Sequence, residues 1–75
     1  MRLNKIQIIE EVAKCIGAKS EELSEESGLG LTSGWDSLAH VEILERLEGA
    51  SGKKLSVDES IFSETLGDLI ALFEV

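Results

Sequence analysis

Residues 35–42 read Trp35-Asp36-Ser37-Leu38-Ala39-His40-Val41-Glu42, and this stretch marks the change from a loop to an amphipathic helix. Asp36 is a good N-cap residue, with Ser33 as the competing candidate, and we predict that helix two runs from there to about Glu48. A serine at such a junction lies beside unpaired backbone N–H groups and the positive end of the helix dipole, which both favour negative charge. The sequence therefore predicts that Ser37 is suited to carry a covalently attached phosphate group.

Apolar residues at helical spacing predict three further helices. Helix one runs from Leu3 to Ile16, and Gly17 ends it. The short helix three opens at the capping box Ser56-Val57-Asp58-Glu59, and helix four follows the weaker box Thr65-Leu66-Gly67-Asp68. The residues expected on the buried faces are Ile6, Ile9, Ala13 and Ile16 in helix one, and Leu66, Leu69, Ile70 and Phe73 in helix four.

The connection from residue 18 to residue 34 is rich in Ser, Glu and Gly, which predicts a long loop with a short turn at Ser20-Glu21-Glu22. Gly28-Leu29-Gly30 lacks the strand and the remaining glycines of a nucleotide-binding loop, so we interpret it as a flexible bend. A loop of this length in a small domain usually has a function, which here would be to deliver Ser37. The leucines expected to hold it on the core are Leu23, Leu29 and Leu31.

These elements predict an all-α fold, since no segment shows the alternating pattern of a strand. The expected architecture is a four-helix bundle with three main helices, one short helix and a long loop between helices one and two. The 75 residues allow one domain, spanning 1–75. With one cysteine there can be no internal disulfide, and we expect Cys15 to be a small packing residue rather than a reactive thiol.

The charge of the chain limits its partners. Fifteen acidic and seven basic residues give a net charge of −8, which argues against nucleic-acid binding and favours basic protein partners. No apolar run approaches the ~20 residues that span a bilayer, and the first residues lack the apolar core of a signal peptide. We therefore expect a cytoplasmic protein without a membrane partner.

The sequence Asp36-Ser37-Leu38, followed by Val41-Glu42 and Leu47-Glu48, resembles the attachment motif and second helix of acyl carrier proteins, and nearly the whole chain fits that family. The resemblance implies that Ser37 receives a 4′-phosphopantetheine arm from coenzyme A, whose terminal thiol holds acyl cargo as a thioester. It also implies that Asp36 lies near the Mg²⁺ of the transferase during loading, besides capping the helix. Such a chain is a carrier and not an enzyme, because the transferase supplies the base that activates the serine.

In that family the second helix is the principal contact for partner enzymes, so the resemblance implies a docking surface here. Its residues would be Leu38, Val41, Glu42, Glu45 and Glu48. The implied partners are a phosphopantetheinyl transferase, acyl-loading or adenylating enzymes, and downstream synthase enzymes, which a monomeric carrier would visit in turn. The alternative interpretation is that the glutamates form an ordinary solvated face and that Leu38 and Val41 belong to the core.

Three features depart from fatty-acid carriers: Ala39 replaces an acidic residue, Ser51 replaces a phenylalanine, and Lys53-Lys54 adds positive charge. The version Gly34-Trp35-Asp36-Ser37 looks more like discrete carriers of specialised, polyketide-like pathways. An aminoacyl or peptidyl carrier loaded by an adenylating enzyme is the alternative carrier hypothesis. A non-covalent acidic helical adaptor is the alternative from another class.

Two further residues of the opening stretch have competing interpretations. We expect Trp35 to pack over the loop rather than to be recognised by partners. His40 lies three residues after Ser37, which suggests a hydrolytic triad with Asp36, but adjacent Asp36 and Ser37 point their side chains in different directions. We therefore expect His40 to be a helix-surface residue.

Overall fold

The computed structural model describes residues 3–74, which form four α-helices and one short 3-10 turn. The helices are α1 (Lys5–Ile16), α2 (Ser37–Ser51), α3 (Val57–Phe62) and α4 (Leu66–Phe73), and the 3-10 turn is Ser20–Glu22. Helix α1 packs against both α2 and α4. The predicted all-α bundle, with its long loop between the first two helices, is confirmed. No helix within residues 3–74 is long and apolar enough to cross a membrane.

Each α-helix begins at a polar side chain that accepts a hydrogen bond from a backbone N–H group one turn into the helix, which satisfies one of the unpaired donors there. The predicted caps Asp36, Ser56 and Thr65 are all confirmed, and Ser33 does not compete. Asn4 caps α1 in the same way and was not predicted.

Helix α2 extends three residues beyond its predicted end, to Ser51. Gly49 directly follows the predicted end, and the helix continues through it. Two hydrogen bonds hold the last turn: the Ser51 hydroxyl donates to the Leu47 carbonyl at 2.6 Å, and the Gly52 N–H donates to the Glu48 carbonyl at 2.9 Å. These bonds and the complete burial of Leu47 outweigh the ~1 kcal/mol cost of a glycine inside a helix.

The core lies between α1, α2 and α4. It consists of Leu3, Ile8, Val12, Trp35, Ile43, Leu47, Leu66, Leu69, Ile70 and Phe73. The predicted buried face of α4 is confirmed throughout. For α1 the prediction is confirmed for Ala13, which is buried, and for Ile9 and Ile16, which pack against the core. It was wrong for Ile6, which is 67% exposed, and it missed Ile8 and Val12, which form the buried centre. Isoleucines at positions 6, 8 and 9 make the apolar sector of α1 so wide that spacing alone does not locate its centre.

The long loop is joined to the α3–α4 connector by backbone hydrogen bonds around Gly28. The Leu29 N–H donates to the Glu64 carbonyl at 2.8 Å, and the Leu66 N–H donates to the Ser27 carbonyl at 2.7 Å. A Cβ atom on Gly28 would overlap the Glu64 carbonyl oxygen, so only glycine permits this crossing. The interpretation of Gly28-Leu29-Gly30 as a flexible bend was therefore wrong at its first residue.

The leucines of the loop divide into two classes. Leu23 and Leu29 pack against the core as predicted, whereas Leu31 is 76% exposed. At the end of the loop, Gly34 has φ of +84°, and a Cβ atom there would lie 2.5 Å from the Ile16 carbonyl oxygen. This glycine lets the loop pass close to the end of α1, which directs the next residue, Trp35, into the core.

Candidate functional site

Ser37 is the first residue of α2, and it is exposed. The preceding Asp36 has an extended backbone, and its Oδ1 accepts the N–H of Ala39 at 2.8 Å. An exposed hydroxyl at the start of a 15-residue helix combines access for an incoming enzyme with the favourable end of the helix dipole. The arrangement suits a bulky, negatively charged substituent on Ser37.

Trp35 and His40 form a buried pair directly beneath this junction. The indole Nε1–H of Trp35 donates to Nδ1 of His40 at 3.0 Å, and the two rings stack with centroids 6.1 Å apart. Trp35 is 1% exposed and His40 is 7% exposed. The prediction that Trp35 packs is confirmed.

The prediction that His40 lies on the helix surface was wrong. His40 shares the inner face of α2 with Ile43 and Leu47, at i, i+3 and i+7. A buried imidazole needs a hydrogen-bond partner, and the indole of Trp35 supplies one. The apolar stripe that continues from position 40 to Ile43 and Leu47 was the sequence signal for this burial.

Burial lowers the pKa of His40 below its usual value, because a charged imidazole loses hydration in the core. The Glu64 carboxylate and the backbone of Ser63 oppose this shift. Within residues 3–74, Nε2 of His40 has no hydrogen-bond partner. The imidazole is therefore neutral at pH 7, with its proton on Nε2 because Nδ1 is an acceptor.

The same geometry removes the hypothesis of a hydrolytic triad. Nδ1 of His40 is bonded to Trp35, and Nε2 is buried without a partner. Neither nitrogen is bonded to the Ser37 hydroxyl, which a general base would have to reach. His40 is therefore not placed to act as a general base for Ser37.

The outer face of α2 carries the proposed docking residues. Leu38 is 79% exposed and Val41 is 52% exposed, so the alternative that they belong to the core is wrong. Glu42 and Glu45 are also exposed. Glu48 differs, because it is partly buried and its Oε2 accepts the Leu55 N–H at 2.8 Å.

Cys15 packs against the core from α1, which confirms its predicted role. Burial and a hydrogen bond to the Glu42 carboxylate raise the pKa of the Cys15 thiol to about 11. At neutral pH the group is a protonated thiol and a poor nucleophile.

Helix α3 presents apolar residues that the sequence analysis did not single out. Val57, Ile61 and Phe62 are all more than half exposed. Beside this helix lies an open groove of about 390 Å³, lined by Asp58, Glu59, Phe62, Ser63, Asp68, Ala71 and Leu72. These residues come from α3, α4 and the connector between them, and Ser37 is not among them.

Within residues 3–74, no three His, Cys, Asp or Glu side chains are arranged to hold a metal ion. The start of α2 brings together one exposed serine, its capping aspartate, and the buried Trp35–His40 pair. A comparison of the chain with protein-family models found no match, and neither did a comparison with curated proteins.

Proposed function

We propose that this chain is an acyl carrier protein in which Ser37 carries 4′-phosphopantetheine. The observation that carries the proposal is the exposure of Ser37 as the first residue of α2, directly after a cap that leaves its hydroxyl accessible. The resemblance of Asp36-Ser37-Leu38 to the attachment motif supplies the identity of the group. The arm thiol would hold acyl intermediates as thioesters and present them to the enzymes of a specialised, polyketide-like pathway.

Attachment requires an external transferase. The Ser37 oxygen forms a phosphodiester with the pantetheine phosphate of coenzyme A, and adenosine 3′,5′-bisphosphate leaves. The serine proton goes to a base of the transferase, because the nearest imidazole, His40, is buried and bonded to Trp35. Asp36 is exposed next to Ser37, where its free carboxylate oxygen could approach the Mg²⁺ of the transferase while Oδ1 keeps the cap.

Partner enzymes would contact the outer face of α2. Leu38 and Val41 expose apolar area beside the attachment residue. Glu42 and Glu45 add negative charge to the same helix. An enzyme surface with an apolar pocket and a rim of Lys and Arg is complementary to this face. Exposed charges of this kind add little affinity but raise the encounter rate, which suits a carrier that visits several enzymes briefly.

Intact-protein and peptide mass spectrometry tests the proposal. The apo chain is incubated with coenzyme A, Mg²⁺ and a broad-specificity phosphopantetheinyl transferase, alongside Ser37→Ala and the matched control Ser33→Ala. Ser33 is an exposed serine of the preceding loop. We expect one phosphopantetheine increment on Ser37 in the wild type and in Ser33→Ala, and none in Ser37→Ala.

A folded chain that gains no increment, while a known carrier is modified in the same mixture, would contradict the proposal and favour the non-covalent acidic adaptor. For a modified chain, loading by acyl-transferring enzymes would distinguish an acyl carrier from an aminoacyl or peptidyl carrier, which an adenylating enzyme would load.

A further inference from the structure

The buried Trp35–His40 pair is more than packing, because it joins the end of the long loop to the first turn of α2. The Trp35 backbone N–H donates to the Thr32 carbonyl, and the Trp35 carbonyl accepts the Gly30 N–H, each at 3.0 Å. The indole N–H donates to the imidazole of His40. The backbone N–H of His40 in turn donates to the Asp36 carbonyl at 2.9 Å. The Trp35–His40 side-chain hydrogen bond therefore spans Ser37, together with the cap from the Ala39 N–H to Asp36 Oδ1 and the bond from the His40 backbone N–H to the Asp36 carbonyl.

That hydrogen bond exists only when the imidazole is neutral. Nδ1 of His40 accepts the indole N–H, and a protonated imidazole has a donor on both nitrogens. Two donors facing each other cannot bond, and the new charge would lie in a site with 7% exposure. Protonation therefore removes the bond and disfavours the buried position of the ring at the same time.

The charged side chain that favours a protonated His40 lies in the connector between α3 and α4. Glu64, in the connector between α3 and α4, is the charged side chain that interacts with the imidazole within residues 3–74, and the backbone of Ser63 also faces the ring. Glu64 is exposed, whereas Ser63 is buried.

We propose that His40 is a positioning residue for Ser37, and that protonation of its imidazole releases Trp35 and loosens the start of α2. One consequence of this coupling, slower modification of Ser37 in mild acid, rests on the proposed function. The coupling itself is a property of the chain, whatever it carries. His40 is the only histidine and Trp35 the only tryptophan, so each group can be followed without ambiguity.

The test is a pH titration of the full apo chain by ¹H–¹⁵N NMR, between pH 7.5 and 5, in the wild type and in His40→Asn. In Asn, Oδ1 can take the place of Nδ1 as the acceptor but does not titrate. In the wild type we expect the chemical shifts of the Trp35 indole N–H and the Ser37 amide to change together, with the same pH midpoint as the His40 ring protons. We also expect the indole N–H to exchange faster with water in acid. In His40→Asn we expect neither shift.

A second variant guards against failure of His40→Asn to fold. Trp35→Phe keeps an aromatic ring but removes the indole donor, and should abolish the pH-dependent shift of the Ser37 amide. The proposal is overturned if the Ser37 amide titrates alike in the wild type and in either folded variant, or if the indole N–H is unchanged while His40 titrates.

Modification kinetics supply the functional measurement. The kcat/KM of the transferase is measured at each pH with the wild-type carrier and with His40→Asn. Dividing the wild-type value by the variant value removes the pH dependence of the transferase itself. We expect this ratio to fall about threefold or more as His40 becomes protonated, chiefly through KM for the carrier. A constant ratio would overturn the role in positioning Ser37. A chain that is not modified at any pH would contradict the proposed function alone, and the NMR titration would still decide the coupling.

Discussion

The backbone N–H of Leu55 donates to the Glu48 carboxylate at 2.8 Å, which ties the last turn of α2 to the connector before α3. Glu45, one turn earlier on the same helix, is exposed. Although the two residues belong to one acidic series in the sequence, Glu48 has a structural contact and Glu45 is available to a partner.

We expect Glu48→Ala to lower the free energy of unfolding by about 1 kcal/mol, because the Leu55 N–H loses its acceptor. Glu45→Ala should change it by less than about 0.5 kcal/mol, as is usual for an exposed position. Urea unfolding of both variants measures the difference. Equal effects would show that the Leu55 contact contributes nothing.

Charge reversal at the docking face should act on association. Glu45→Lys is expected to slow binding to a phosphopantetheinyl transferase several-fold at low salt, with the difference shrinking as salt screens the charges. Glu21→Lys, in the 3-10 turn, makes the same change in net charge and serves as the control. Stopped-flow association rates at several ionic strengths measure both; identical slowing in the two variants would mean that net charge, not the α2 face, governs encounter.

Asp36 has a structural role and a proposed functional one, which two substitutions separate. Asp36→Ala removes the acceptor of the Ala39 N–H and should cost about 0.5–2 kcal/mol of stability. Asp36→Asn keeps an acceptor and should retain stability, yet slow loading if the carboxylate assists the metal of the transferase. Thermal unfolding and the modification rate are measured on both. Normal loading of Asp36→Asn would limit Asp36 to capping.

Cys15 should resist alkylation in the folded chain. With its pKa raised from 9.0 to about 11, the thiolate fraction at pH 8 falls about 100-fold relative to the unfolded state. Iodoacetamide labelling followed by mass spectrometry, with and without urea, tests this. After modification of Ser37 the exposed arm thiol should be labelled first, so labelling of Cys15 before the arm in the folded chain would be the contrary result.

The burial of His40 makes stability depend on pH. Its pKa is lowered in the folded state, so below about pH 6.5 the unfolded chain binds a proton that the folded chain does not. The free energy of unfolding should therefore fall as the pH drops through about 6.5, and level off below the pKa of the folded state. Urea unfolding between pH 7.5 and 5 should show this fall in the wild type and not in His40→Asn. A parallel fall in both would assign it to the carboxylates.

Local signals predicted the parts of this fold that depend on a few neighbouring residues. Capping needs one side chain and the N–H group three residues later, so the starts at Asp36, Ser56 and Thr65 were evident. In α4 the residues at i, i+3, i+4 and i+7 likewise face the core as their spacing predicts. In α1 the stripe is wide, and the contacts with α2 and α4 decided that Ile8 and Val12 lie at its centre.

By itself, the sequence determined that the chain is helical and that Ser37 begins a helix, because periodicity and capping act over a single turn. The spacing of His40 to Ile43 and Leu47 indicates the inner face of α2, but only the tertiary structure decided what pairs with the buried ring, because its hydrogen-bond donor is an indole that reaches the core after the long loop has crossed the α3–α4 connector at Gly28. The exposure of Leu31 was decided in the same way, since which leucines of a loop meet the core depends on the path of the backbone.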